Sequence, residues 1–158
     1  MQQKSADPPR LDDDASSHRD VDAPTPDGFD SPIAAPTSAD HGKAWQEANR
    51  DWWESNPMRY DWREALGVEE FSEEFYDEID RRFFEVVATF MPWKRVPFDN
   101  LIDFDALGNK DVLEIGVGNG SHAQLLAQHA KSYNGVDLTE YAIHSTTKRL
   151  EGRGLSEH

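Results

Sequence analysis

The feature that most constrains this chain is a short apolar run breaking into three alternating glycines, Asp111-Val112-Leu113-Glu114-Ile115-Gly116-Val117-Gly118-Asn119-Gly120. A second run, Tyr133-Asn134-Gly135-Val136, ends on Asp137. Between them, Ser121 to Ala130 has helical spacing, with Ala123, Leu126, Ala127 and Ala130 on the inner side. Two apolar runs flanking a helix predict a buried parallel pair of strands, Val112–Ile115 and Tyr133–Val136. At such a crossover the strand's end meets the helix's start, where backbone N–H groups lack partners and point outward. Glycines let the chain turn tightly there and let a ligand approach the backbone. An acid closing the second strand accepts hydrogen bonds from ribose hydroxyls. The whole pattern predicts an α/β unit that grips a nucleoside-bearing cofactor, a firmer signal than a glycine motif alone.

Two cofactor classes use this arrangement. A nicotinamide dinucleotide calls for G-x-G-x-x-G, whose third glycine allows close helix–strand packing. Here the spacing is G-x-G-x-G, and Ser121 stands where that third glycine belongs. Glu114 also lies at the strand's end, where a carboxylate repels a pyrophosphate and suits an ammonium or sulfonium group. Charge and spacing thus argue against the dinucleotide.

Val112 to Gly120 resembles the first signature of class I S-adenosylmethionine-dependent methyltransferases, an acid followed by G-x-G-x-G. Gly135-Val136-Asp137-Leu138-Thr139 is similar to their second signature. The resemblance covers residues from about 108 to 155, roughly a third of the chain. It implies that Gly116, Gly118 and Gly120 line the methionine portion of S-adenosyl-L-methionine. It further implies that Glu114 helps hold the amino group, directly or through water, that Asp137 accepts from the ribose, and that Leu138 flanks the adenine. Val117 departs mildly from the small or hydrophobic residue, often cysteine or alanine, common at that place. The implied fold is a Rossmann-like, doubly wound parallel α/β sheet. The family's sheet has seven strands and this chain supplies the first two, so the expectation is the cofactor-binding front half of such an enzyme.

The local alternatives are structural. Asp137 can serve a helix dipole, and Glu114 can bond the loop backbone. No general base is assignable. His122, His129 and His144 show no ligand-like pairing, so no metal site is expected, and no Ser-His-Asp constellation emerges from spacing.

Upstream, the chain divides by composition. Residues 1–40 hold six of the nine prolines and the run Asp12-Asp13-Asp14, with large apolar residues only singly placed. Such a segment cannot offset its ordering entropy and is expected to be a disordered acidic tail. Residues 41–107 read as a helical segment preceding the cofactor unit, which occupies 108–158. It is similar, weakly, to the N-terminal lids of small-molecule methyltransferases. Lys43 to Ser55 predicts a helix with Trp45, Ala48 and Trp52 on one face, broadened by Trp53 and ended by Asn56-Pro57. Ser72 predicts an N-cap for a second helix with the stripe Phe75, Ile79, Phe83, Val86, Val87 and Phe90, stopped by Pro92. Asp77–Arg81 and Glu78–Arg82 have the favoured i,i+4 order. Arg59 or Tyr60 can belong to a lid over the cofactor; aromatic packing between helices is the favoured reading for Tyr60. Residues 93–110 read as a connector. Thr139 caps a last helix running to about Leu150, with Ile143, Thr147 and Leu150 on one face.

The net charge of −15, from 31 acidic and 16 basic side chains, argues against binding nucleic acid through broad charge attraction. The absence of cysteine excludes disulfides and thiolate chemistry. No apolar run approaches the roughly 20 residues of a membrane span, and a cytoplasmic location is expected. The expected reaction is methyl transfer to a small-molecule or lipid-like acceptor. An NAD(P)-dependent oxidoreductase fragment and a non-catalytic interaction protein with a relic motif are the alternatives.

Overall fold

A computed structural model describes residues 35–155. The tail expected over 1–40 therefore lies outside the described residues up to position 34. From there the chain is already entering its first helix, α1 (Ala39–Ser55), ahead of the predicted Lys43. The reason is local: the Ser38 hydroxyl accepts from the His41 N–H at 3.1 Å, capping the helix within the proline-rich stretch. Trp45, Ala48 and Trp52 are half-buried on one face, as their spacing predicts. At the far end the Asn56 N–H and side-chain amide both donate to the Trp52 carbonyl before Pro57 ends the helix.

Helix α2 (Glu73–Phe90) begins where Ser72 predicts, with the Ser72 hydroxyl accepting from Phe75 N–H at 3.1 Å. Its apolar stripe is buried only in its first half, where Phe75, Tyr76 and Ile79 form a core cluster. Val86 and Phe90 are exposed, Phe90 at 80%. The expected stripe is too long because α4 covers only the N-terminal half of α2. Glu78 pairs with Arg82 as predicted, at 2.7 Å. Asp77 does not pair with Arg81; it bonds Arg153, and Arg81 bridges Glu78 and Glu85. A tertiary cation outcompetes the intrahelical one.

The connector contains a 3₁₀ turn, Phe104–Asn109, whose Phe104 is buried against His129. Then come β1 (Asp111–Ile115), α3 (Ser121–His129), β2 (Ser132–Val136) and α4 (Glu140–Gly152). The fold is mixed α/β, with a two-stranded parallel sheet in which Asp111 faces Ser132 and Ile115 faces Val136. Among the described residues, no helix is long and apolar enough to cross a membrane.

One expectation is corrected. The parallel pair is not buried on both faces. Val112, Glu114, Tyr133 and Gly135 share one face, and Ala123, Leu126, Ala127 and Leu150 from α3 and α4 pack around Tyr133 and Val112 there. Leu113 and Ile115 point the other way and are 63% and 81% exposed, with Val136 at 47%. Both helices lie on one side, so alternation alone strands the other. In α4, Ile143, Thr147 and Leu150 do lie together, while the buried residues are Ala142, Ser145, Thr146 and Arg149. The buried face is polar because its polar groups meet fixed partners, with the Arg149 Nε atom the exception among the described residues. Thr146 Oγ1 donates to the Gly118 carbonyl at 3.1 Å, and the Ser145 carbonyl accepts from the Tyr76 hydroxyl at 2.7 Å. Arg149 donates to both Asp80 oxygens at 2.9 Å and lies 4.7 Å from the Tyr76 ring centroid. Burial pulls its pKa down, and Asp80 opposes that shift. Buried charge is tolerated only when paired in this way.

Candidate functional site

A cavity of about 600 Å³ opens where the glycine loop, the end of β2 and the end of α1 converge. That is within the range of small-molecule sites. The loop is shaped by left-handed backbone at Gly118 (φ 53°) and Gly120 (φ 78°), which only glycine adopts without strain. Gly116 N–H donates to the Val136 carbonyl at 2.8 Å, extending the ladder by one rung before the chain turns away. Gly118 N–H then donates to Asp137 Oδ2 at 3.2 Å. Asp137 Oδ1 accepts from both the N–H and the hydroxyl of Thr139, at 3.0 and 2.9 Å. The Thr139 hydroxyl oxygen in turn accepts from Ala142 N–H, capping α4. Asp137 is thus locked between loop and helix, with part of its acceptor capacity left for a ligand.

Four of the six residues singled out from sequence meet here: Gly116, Gly118, Asp137 and Leu138 line the cavity. Gly120 does not line it. A Cβ at Gly120 would come within 3.0 Å of Thr146 Oγ1 and 3.2 Å of Arg149 Cδ, so this glycine serves close packing of the loop against α4. Glu114 is not among the lining residues either. Its Oε2 accepts from the Tyr133 hydroxyl at 2.7 Å, and its Oε1 lies 3.8 Å from His122 Nδ1. Burial raises the Glu114 pKa; the Tyr133 hydroxyl opposes this and the Asp137 charge adds to it. Its partner Tyr133 is raised strongly, first by burial and then by the carboxylate it faces. His122 is wedged against Phe98 and Phe83, and burial lowers its pKa with Asp80 opposing.

The opposite wall comes from the helical segment: Asn49 and Trp53 of α1, then Pro57 and Met58. Trp53 was legible as an apolar extra on the α1 stripe, whereas Met58 carried no signal. Tyr60 and Arg59 do not line the cavity. Tyr60 stacks on Phe83 at 5.2 Å, and Arg59 pairs with Asp61 and Glu70. Two further contacts hold this wall in place. The Glu54 carboxylate accepts from Tyr141 N–H in the first turn of α4 at 3.1 Å, and Asn119 Nδ2 donates to the Met58 carbonyl at 2.7 Å. Neither was predicted, since both join residues far apart in the chain.

Among the described residues lining the cavity, Asp137 is the one charged side chain; the rest are apolar or neutral. The amide of Gly118, which an anionic phosphate would need, is already spent on a carboxylate. The arrangement can hold an apolar ring against Leu138 and Trp53 and accept hydrogen bonds at Asp137, and it disfavours a pyrophosphate. Comparison with protein-family models, with curated proteins and with solved structures finds no match to this chain.

Proposed function

We propose that this chain carries the S-adenosyl-L-methionine-binding part of a class I methyltransferase with a Rossmann-like sheet, acting on a small-molecule acceptor. The observation that carries the reading is the charge of the cavity. Its lone charged lining residue is an acid that already claims the Gly118 amide. An acid at this place serves the ribose in either cofactor class; the spent Gly118 amide and the lack of a cation among the described lining residues favour a nucleoside bearing positive charge over a pyrophosphate.

The chain's residues fit that group. Asp137 accepts from ribose hydroxyls with its remaining lone pairs, and Leu138 and Trp53 supply apolar contact for the base. The Gly116–Gly118 backbone gives close approach to the amino-acid portion. Glu114 lies behind the loop, bonded to Tyr133, and adds negative potential near the cationic end. S-adenosylmethionine, when bound, supplies an electrophilic methyl group; the protein's part is to hold two reactants in line, worth up to roughly 7–11 kcal/mol in good geometry.

Titration calorimetry with S-adenosylhomocysteine and with NAD tests this on the full chain. The expected result is binding of the former, no binding of the latter, and at least tenfold loss of affinity in Asp137→Ala. Absence of S-adenosylhomocysteine binding, or preference for NAD, overturns the reading.

A further inference from the structure

The side chain of Asn119 joins the two walls of the cavity. It sits in the glycine loop between Gly118 and Gly120, is 6% exposed, and has both ends of its amide paired. Nδ2 donates to the Met58 carbonyl at 2.7 Å, and Oδ1 accepts from the Ser145 hydroxyl at 2.8 Å. A backbone carbonyl only accepts, so the amide's orientation is determined by Met58. Ser145 is itself anchored, its carbonyl accepting from Tyr76 on α2. One side of the amide is therefore held by the packed helices. The other side holds the turn that follows α1. That turn carries Met58 and Pro57, and Trp53 lies one helical turn before it; all three line the cavity.

The contact is well placed to transmit ligand binding. Asn119 follows Gly118, whose N–H bonds Asp137 and whose carbonyl accepts from Thr146. The loop is thus bonded on both sides of the cavity floor, and its one side-chain bond to the α1 wall leaves from Asn119. A second tie, from Glu54 to Tyr141 N–H, fastens α1 to α4, and the residues just after Met58 are held by Arg59 pairing with Glu70 and by Arg82 donating to the Tyr60 carbonyl.

We propose that Asn119 is a positioning residue, clamping the turn after α1 over the glycine loop so that a nucleoside ligand in the cavity is closed in by Trp53 and Met58. This rests on the cofactor reading given above and adds to it the part that retains the ligand. Asn119 also lines the cavity; the role assigned to it is the one it exerts through Met58, which the exchange measurement reads separately from affinity.

The test compares Asn119→Asp, which keeps an acceptor for Ser145 but removes the donor to Met58, with Ser145→Ala, which does the reverse. Hydrogen exchange by mass spectrometry over residues 49–58 and 116–120 is measured with and without S-adenosylhomocysteine, beside calorimetric affinity. In the native chain the ligand is expected to slow exchange in both segments. Asn119→Asp is expected to speed exchange over 53–58 without ligand and to weaken binding tenfold or more. Ser145→Ala is expected to stay within about threefold of native affinity. The clamp is overturned if the ligand protects 116–120 but leaves 53–58 unchanged in the native chain, a result that needs no variant to fold. It is equally overturned if the two variants lose affinity alike, since Asn119 then acts by packing alone. Complete absence of binding by the native chain overturns the functional reading, and the inference with it.

Discussion

The two faces of the β1–β2 sheet are made by alternate residues of the same strands, yet they have opposite surroundings. On one face Val112, Glu114 and Tyr133 lie under α3 and α4. Beyond those helices a paired network of Asp80, Arg149 and Tyr76 joins them to α2. On the other, Leu113, Ile115 and Val136 face outward. Leu113 and Ile115 stay mostly exposed after folding, so they add little stability to this chain. The packed side carries both the fold and the geometry of the glycine loop. Hydropathy is a poor guide to which side matters, since Leu113 and Ile115 are exposed and the packed helix α4 buries an arginine.

The comparison can be broken by substitution. The largest effect is expected from Arg149→Ala, which leaves the part-buried Asp80 carboxylate without its partner; urea denaturation should show a loss of about 3 kcal/mol. Replacing both members, Arg149→Met with Asp80→Leu, should recover most of that loss. A single-variant loss below about 1 kcal/mol would mean that the network does not anchor α2. Next is Gly120→Ala, which combines left-handed backbone with a Cβ only 3.0 Å from Thr146 Oγ1; about 1–3 kcal/mol should be lost by the same measurement. A milder loss would show that α4 moves away easily.

Glu114 probes the packed face by pH. Burial raises its pKa, so the folded state holds that proton more tightly than the unfolded chain does. The group adds stability below the ordinary carboxylate value, and this is lost as pH rises through the raised one. Glu114→Gln removes the titration and keeps a carbonyl for the Tyr133 hydroxyl. Its melting temperature should exceed the native value at pH 7, and the gain should vanish towards about pH 4. A gain that persists at low pH would assign it to packing instead. The smallest effect is expected on the open face, where Ile115→Thr should change stability by no more than about 0.5 kcal/mol in either direction. A loss of 2 kcal/mol or more would show that this face is covered in solution.

Much of the local structure was legible in the residues. Ser72 and Thr139 are helix caps because their hydroxyls reach the backbone of the next turn, a purely local interaction. The strand–loop–helix–strand order follows from periodicity and from glycines, which accept left-handed backbone without the strain a side chain brings. Four of the six candidate site residues line one cavity because the strands that carry them are adjacent and parallel. The buried face of α4 was not legible because apolar spacing ignores polar groups whose partners come from elsewhere. Arg149 is buried only because Asp80 and Tyr76, some seventy residues earlier, meet it.

The amino-acid sequence by itself determined the crossover unit, its caps and the loop that turns at Gly118 and Gly120. Each of these depends on neighbours within a few positions, whose energies do not wait on the rest of the fold. Tertiary structure decided which face of the sheet is covered, that Glu114 bonds Tyr133, and that α1 supplies the second wall of the cavity. Those outcomes depend on contacts between distant segments, among them Asn119 with Met58 and Glu54 with Tyr141. Such contacts form only when packing has brought the partners within hydrogen-bonding distance.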